Sequence, residues 1–484
     1  MRRLQPTALA VAPTAQRASS ALPFASPEQQ DPVLQELLLQ TSALLTAWLG
    51  SATSRSPLPA MSLLPEIAPG PLGQPPAQLL AELQIVMEGA YNPNHPGALA
   101  HLDPPPLPAS IAADLVCAGL NNNLLAEELS PSLSRLERAL CSWLAEAIGL
   151  PPGSGGVPAS GGTLSNLMAL VTARQSQGLL GRSDAVVLAS ADSHVSLAKA
   201  LMVMGLPATN LLTLPTDAEG RLQLQALEAE LTRCQRDGIA VLAVVATCGT
   251  TVCGAVDPLE PMAQLCRRHG TWFHVDGAIG AVYALAPHHV HRVAGLGLAD
   301  SVTVNPQKLL GITKTSSLLL LAQPQRLAHA FATGLPYMEA SWGGAHGGEC
   351  GLQGTRSAEV LKLWLGLRQL GLDGISLVLD GAINRRRELQ QRLQAITGLE
   401  LRSPALHLLA FTPANATPAQ AEQWSQHTRQ ALLEADLMLS RPLYDGRHHL
   451  KAVLGNPHTR SSDLARLAEI VAASMQTLSC QTLS

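Results

Sequence analysis

"SVTVNPQKLLGITKTSS" (Ser301–Ser317) decides how this chain is read. A short apolar run, Ser301–Val304, is stopped by Asn305-Pro306, and a lysine follows almost at once. The sequence holds five lysines (Lys199, Lys308, Lys314, Lys362 and Lys451), and two of the five stand in this one stretch. Burial penalises an ammonium, so a lysine at the end of a buried strand needs a chemical reason.

The neighbouring runs have the same texture. "DAVVLAS", "NLLTLP", "IAVLAVVAT", "TWFHVD" and "SSLLLLA" are apolar throughout and alternate with helical segments. Such runs are strands covered on both faces, which predicts a largely parallel sheet between helices. After "TRSAEVLKLWLGLRQLG" the pattern turns to long helices with a few strands, "HLLAFTP" and "HLKAVLGNP", which predicts a small C-terminal α+β domain. Upstream, "DPVLQELLLQTSALLTAWLG", "LPASIAADLVCAGLNNNLL" and "SPSLSRLERALCSWLAEAIGL" have helical spacing, the last with Ser130 as its cap. The expected division is a disordered leader over 1–30, a helical and extended segment over 31–110, a large α/β domain over 111–375 and a small domain over 376–484. The Ala/Ser/Pro-rich leader has no apolar core of a secretory signal; an organelle transit peptide is its alternative reading.

Composition narrows the classes. At 484 residues, 46% hydrophobic and 14% charged, the chain is long enough for two packed domains. Aromatics make up 3%, so the core is built from Leu, Ala, Val and Ile. A net charge of −4 without a basic stripe argues against nucleic acid as a partner. No apolar run is long enough to cross a bilayer as a helix. Eight cysteines without a CxxC pair read as free thiols in a reducing, cytoplasmic compartment. His288, His289 and His291 of "PHHVHR" read as a solvated cluster, and no metal site is expected.

Four loops carry the chemistry. "PASGGTLSNLMALVTAR" sets Gly161, Gly162 and Thr163 at a helix start with no nearby acid; it is a plain turn or a phosphate cradle. "SADSHVSLAKA" places His194 after a strand, where it caps the next helix or faces a ligand. "TWFHVDGA" ends a strand on Asp276, which caps the turn or meets a cationic ring nitrogen above the small Ala278. Thr247 ends the neighbouring strand. Lys308 follows the next one, where desolvation would favour the neutral amine that attacks a carbonyl. Cradle, platform, ring-nitrogen carboxylate and imine-forming lysine in one domain describe pyridoxal 5′-phosphate. Lys314 reads as support for its turn, and Lys199 and Lys362 as surface.

With "NHPGALAHL", "SPSLSRLE", "SGGTLSNLMAL", "HVSLAKA", "TCGTTVCGAVDPL", "WFHVDGA", "NPQK" and "LKLWLGLRQLG" in register, the chain from about Asn92 onward resembles the group II pyridoxal-phosphate-dependent amino-acid decarboxylases. The resemblance implies the type I (aspartate aminotransferase) fold and a homodimer with shared active sites. By the same resemblance, Gly162, Thr163, Asn305 and Gln307 hold the phosphate, with Gly354 of "QGTR" reaching it from a partner subunit. His194 stacks on the ring, Asp276 pairs with its nitrogen, Ala278 lies below, Thr247 meets its oxygen side and Lys308 carries it. Tyr337 matches the mobile-loop tyrosine that protonates the substrate after CO2 leaves; packing a loop is the alternative.

The chain departs from the family pattern at Gln307, Ile279 and Leu164. "GALAHLDPPPLPASIAADL" resembles the corresponding stretch of diaminobutyrate decarboxylases more than that of the aromatic enzymes, which implies a small polar or acidic substrate: 2,4-diaminobutyrate first, then glutamate or aspartate. His95, His101 and Asp103 are its candidate pocket residues, with a solvated Pro-rich turn as the alternative. The rival functions are another type I reaction, an aminotransferase or carbon–carbon lyase, and a non-catalytic cofactor-binding relative.

Overall fold

The computed structural model describes residues 23–60, 63–335 and 346–482. The chain divides into two compact units: an N-terminal one (Met1–Ser51 and Ala60–Ala90) and a main one (Ala52–Pro59 and Tyr91–Ser484). The N-terminal unit contains helices α1 (Pro32–Gly50) and α2 (Pro76–Glu88). Asp31 starts α1 by accepting from the N–H groups of Val33 and Leu34. The second helix was not read from the sequence, because Pro75-Pro76 looks like the end of a linker. A proline at the first helical position costs no intrahelical bond, so Pro76 opens α2 instead. The Trp48 indole donates to the Met87 carbonyl at 2.8 Å and joins the pair.

The main unit opens with α3 (Pro108–Leu120) and α4 (Pro131–Ala147). Ser130 stands at the cap position of α4, but its hydroxyl makes no cap bond; Pro131 alone sets the start. Seven strands then form one sheet: β1 (Gly155–Ala159), β2 (Val186–Ser190), β3 (Leu211–Leu214), β4 (Val241–Thr247), β5 (Trp272–Gly277), β6 (Ser301–Val304) and β7 (Ser317–Leu321). The order is β1-β7-β6-β5-β4-β2-β3. All pairs from β3 to β6 are parallel, and β7 runs against both β6 and β1. The parallel sheet is therefore as the apolar runs predicted, and β1 is an addition. "GGVPA" lacks the apolar signature because a side chain at Gly156 would come within 2.0 Å of the Leu319 carbonyl, and Pro158 is tolerated on an edge strand.

Alternate residues of each strand feed two cores. Val244, Val275, Val302 and Leu320 point to one face, and Val245, Ala243, Trp272 and Leu319 to the other. Helices α5 (Gly162–Ser176), α6 (Ser196–Val203), α7 (Leu224–Arg236), α8 (Leu259–His269) and α9 (Gln325–Phe331) complete the large domain. Helix α10 (Val360–Gln394) carries non-helical geometry at Gly371, four residues before the expected domain boundary. Beyond it lie β8 (Leu399–Arg402), β9 (Leu408–Pro413), α11 (Pro418–Glu434), β10 (Leu443–Tyr444), β11 (Arg447–His448), β12 (Leu450–Val453) and α12 (Ser461–Thr482), with β12, β9 and β8 in an antiparallel sheet. One part of the 31–110 segment belongs here. Leu99 sits in the C-terminal core, and its backbone bonds Met438 and Val453.

This is the type I fold of pyridoxal-phosphate enzymes, with the large sheet presenting the ends of β4, β5 and β6 side by side. No described helix is long and apolar enough to cross a membrane.

Candidate active site

The parallel register does the placing. Thr247 pairs with Asp276, and Asp276 with Thr303, so three polar residues form one row at the carboxyl edge of β4, β5 and β6. Asp276 is buried; its Oδ2 accepts from Asn166 Nδ2 at 2.8 Å and its Oδ1 from the Ala278 N–H at 3.2 Å. The Thr247 N–H is tied to Asp257 Oδ2 at 2.7 Å, while its hydroxyl is buried with no partner among the described residues. Asp257 also accepts from the Leu222 N–H, and burial pushes its pKa up to about 6; both its oxygens hold backbone.

Lys308 ends a single 3-10 turn, Pro306–Lys308, directly beyond β6. Desolvation lowers its pKa, opposed by the charges of Asp276 and Asp103. No hydrogen bond or ion pair within the described residues occupies its ammonium. His194 makes the capping contact, its Nδ1 accepting from the Ser196 N–H at 3.2 Å, and the charges of Asp276 and Lys308 reach its ring. Burial holds its pKa below the usual histidine range.

The turn before α5 has the form of an anion cradle. Gly161 adopts φ +101°, α5 has no acidic residue in its first turn and no side-chain cap, and Thr163 is exposed. A side chain on Gly162 would come within 3.0 Å of Asn305 Nδ2, so glycine keeps that space open. Asn305 is buried with Oδ1 unpartnered. The N–H groups of Gly162 and Thr163 have no partner among the described residues, the Asn305 NH2 lies beside Gly162, and the orphaned Thr247 hydroxyl and the desolvated Lys308 stand at and just past the ends of β4 and β6 on the same sheet edge. This donor set fits the phosphate, ring and aldehyde of pyridoxal 5′-phosphate.

Other assignments move. Gln307 turns its carbonyl oxygen to the Ser316 N–H, which leaves its NH2 as the group it can offer. Gly354 packs by Gly348 and Leu125, and the adjacent Gln353 accepts from the Ser160 N–H at 3.2 Å in the same chain. Arg356 is spent on a buried two-pronged ion pair with Glu137 at 2.7 Å. Lys362 is corrected from surface to core: its Nζ donates to the Lys314 carbonyl at 2.9 Å and pairs with Asp114, because that face of α10 packs on α3. The Lys314 side chain does not brace its own turn but pairs with Asp103 at 2.5 Å. His289 is likewise corrected from solvated to buried, bonded to Asp380 and Arg292; His288 and His291 are exposed, and no metal-binding group of His, Cys, Asp or Glu occurs among the described residues.

The pocket candidates separate. The stretch with His101 and Asp103 runs along the loop after Lys308, through Leu107 N–H to Gly311 carbonyl at 2.7 Å. The charges of Asp103 and Lys314 act on His101 there. His95 is not with them; its Nδ1 accepts from the Gly97 N–H, and the charges reaching it are Asp436 and Asp463 of the small domain. Tyr337 lies outside the described residues.

Sequence reading missed Lys451 on β12. It is 7% exposed, its Nζ donates to the Thr251 carbonyl at 3.3 Å, and burial, with Lys308 beside it, pushes its pKa down to about 8. The signal was available: a lysine inside the apolar run "HLKAVLGNP", in a chain with five lysines. Ile279 and Leu164, the two departures in the motifs, are core packing residues here.

A parallel sheet with a desolvated lysine, a held carboxylate and an anion cradle at its carboxyl edge defines a coenzyme-dependent enzyme of the type I class. Comparison with known proteins narrows it. Residues 76–411 match the model of the pyridoxal-dependent decarboxylase conserved domain, and the chain belongs to that family. It is 31% identical over 442 residues to an L-2,4-diaminobutyrate decarboxylase of Rhizobium meliloti (strain 1021), covering 89% of this chain and 88% of the relative. An aromatic-L-amino-acid decarboxylase of Bacillus atrophaeus is 30% identical over 338 residues, 69% of this chain and 70% of the other. In fold, the chain is similar to an Oryza sativa TDC solved with PLP and tryptamine, with a TM-score of 0.86, 21% identity, and coverage of 94% of this chain and 100% of that one. The chain is a pyridoxal-phosphate-dependent amino-acid decarboxylase, a carboxy-lyase.

Proposed function

We propose that this chain decarboxylates a small polar amino acid, 2,4-diaminobutyrate in preference to glutamate or aspartate, with Lys308 as the residue that carries the coenzyme. The observation that carries this is Lys308 itself: an amine drawn out of water, without a fixed counter-ion among the described residues, and under the charge of Asp276.

Gly162, Thr163, Asn305 and Gln307 would hold the coenzyme phosphate. His194 and Ala278 would hold the ring, and the orphaned Thr247 hydroxyl would be the group free to donate to it. When bound, pyridoxal phosphate supplies an electron sink for the bonding pair left as CO2 departs. Asp276 keeps a proton at the ring nitrogen, because a buried carboxylate favours the cationic form of a neighbouring base. Lys308 needs its neutral form to attack, and desolvation supplies it. Lys451 offers a cation to the substrate carboxylate. Asp103, whose Oδ1 is paired with Lys314, would have only its Oδ2 to offer a distal amine of the substrate. Tyr337 would deliver the proton to the α-carbon.

The homodimer is part of the proposal, with Gly354 of one copy serving the phosphate of the other. So is a cytoplasmic location, which the buried free thiols of Cys141, Cys234, Cys248, Cys253 and Cys266 favour.

The purified protein should release CO2 and an amine from 2,4-diaminobutyrate faster than from glutamate, aspartate or an aromatic amino acid. Keto-acid formation without CO2 would overturn the reaction assignment. Borohydride reduction should fix the coenzyme to the Lys308 peptide. Tyr337→Phe should retain coenzyme binding and slow protonation, so that amine is released well below the parental rate; clean amine at the parental rate would remove Tyr337 from the mechanism.

A further inference from the structure

Behind Asp276 lies a line of buried polar side chains that the reaction itself does not touch. Asn166, on the second turn of α5, reaches four partners. Its Nδ2 donates to Asp276 Oδ2 and to Ser196 Oγ, each at 2.8 Å. Its Oδ1 accepts from Thr303 Oγ1 at 2.7 Å and lies 3.1 Å from His274 Nε2. His274 Nδ1 in turn lies 2.9 Å from Ser301 Oγ, which accepts from the Trp272 indole at 2.9 Å. Asn166, Ser196, His274, Ser301, Thr303 and Trp272 are all at least nine-tenths buried.

The direction of these bonds is dictated by one charge. Were the Asn166 amide turned over, its oxygen would face the Asp276 carboxylate with no proton between them. The NH2 therefore points to Asp276 and the oxygen points back. His274 can meet that oxygen only as a donor, so its proton is on Nε2. Its Nδ1 is then the nitrogen that meets Ser301, whose hydroxyl can donate to it because the indole fills the acceptor side of that hydroxyl. Burial also favours the neutral imidazole that this pattern requires. The charge therefore fixes the direction from His274 Nε2 through Asn166 to Asp276, and Ser301, held by the Trp272 indole, anchors the other side of the imidazole through its hydroxyl and its carbonyl, 3.2 Å from Nδ1. The Ala278 N–H approaches the other carboxylate oxygen in the same sense.

We infer that Asn166 is a positioning residue for the ring-nitrogen carboxylate, held by His274, Ser301 and Trp272 so that the amide fixes Oδ2 of Asp276 and the carboxylate keeps one orientation toward the coenzyme side. The second Nδ2 bond extends its reach, since Ser196 adjoins the loop that orients His194. One amide thus sets two groups that would meet the ring on different sides. This inference rests on the pyridoxal-phosphate reading, and the experiment separates the two.

The readouts are coenzyme dissociation, the pH titration of bound-coenzyme absorbance, and kcat with KM, all on full-length holoenzyme. Asn166→Leu, which removes the donor, should weaken coenzyme binding and lower kcat by about tenfold to a hundredfold, at all pH values, with KM little changed. Asn166→Asp replaces the amide by a group that donates to Asp276 only while protonated. It should work at acid pH and lose coenzyme affinity and kcat on an alkaline limb that the parent lacks. His274→Gln, which keeps a donor, should stay nearer the parent than His274→Phe. If Asn166→Leu does not fold, Asn166→Asp and the His274 pair still decide. Asn166→Asp with the parental pH profile and coenzyme affinity, or His274→Phe equal to His274→Gln, overturns this inference alone. A parent that binds no coenzyme overturns the functional reading instead.

Discussion

Lys308 and Lys362 are both withdrawn from water, and only one of them is used up. Lys362 has a carbonyl and a carboxylate within reach, so its charge is neutralised where it lies and its position is fixed by packing between α10 and α3. Lys308 feels the charge of two carboxylates, Asp276 and Asp103, and both have other partners, Asn166 and Lys314. A buried lysine with its own partner is a structural brace, whereas one whose neighbours are committed elsewhere is held ready for a ligand. Lys451 stands between them: one backbone carbonyl at 3.3 Å and a strongly depressed pKa.

The sharpest test of that contrast is Lys308→Ala, which should abolish turnover and leave no borohydride-trapped coenzyme while the folded state persists by circular dichroism. Measurable turnover in this variant would mean the reactive amine is elsewhere. Asp276→Asn should come next, with kcat down about a hundredfold or more, since a preorganised charge at the reacting ring is lost. If that variant turned over within about threefold of the parent, the ring-nitrogen assignment would break.

Lys451 should act on binding. Lys451→Met is expected to raise KM about tenfold or more with a smaller change in kcat. Its pKa near 8 gives the sign of the pH effect: the ammonium that would hold a carboxylate is present below about pH 8 and lost above it. KM should therefore rise on the alkaline side in the parent, with the coenzyme-bound enzyme shifted upward because Lys308 no longer adds its charge, and stay flat in Lys451→Arg. In the coenzyme-free protein, between about pH 8 and 10.5 the unfolded chain binds a proton at Lys451 that the folded chain does not, so folding stability attributable to this residue increases with pH over that window. A Lys451→Met protein with the same pH slope of stability would contradict the burial argument. The smallest effect on catalysis belongs to Lys362→Met, which should cost about 1–2 kcal/mol of stability in urea unfolding and leave kcat within about twofold. A larger loss of rate than of stability would make Lys362 more than a brace.

Much of this was legible from residue order. The apolar runs marked six of the seven strands of the large sheet, because strands buried on both faces lose their polar alternation. Asp276, Lys308, Thr247 and His194 were found from their positions just past such runs. The edge strand β1 and helix α2 escaped for opposite reasons: one is glycine-rich through close backbone approach, the other begins with a proline that resembles a linker. Lys362 was misread because a single lysine in a helical run carries no mark of which face it occupies. Asn166 and Lys451 were passed over because an amide and a cation signal a site only when their partners are known.

By itself the sequence determined the parallel α/β sheet and, through its motifs, the coenzyme, and it marked Lys308 as the lysine proposed to take it, since local periodicity and strand-end residues depend on neighbours along the chain. Only the tertiary structure decided which charges are spent and which are available. Ion pairs and hydrogen bonds join residues 110 positions apart, as Asn166 and Asp276 are, and a carboxylate's availability depends on the partners that folding brings to it.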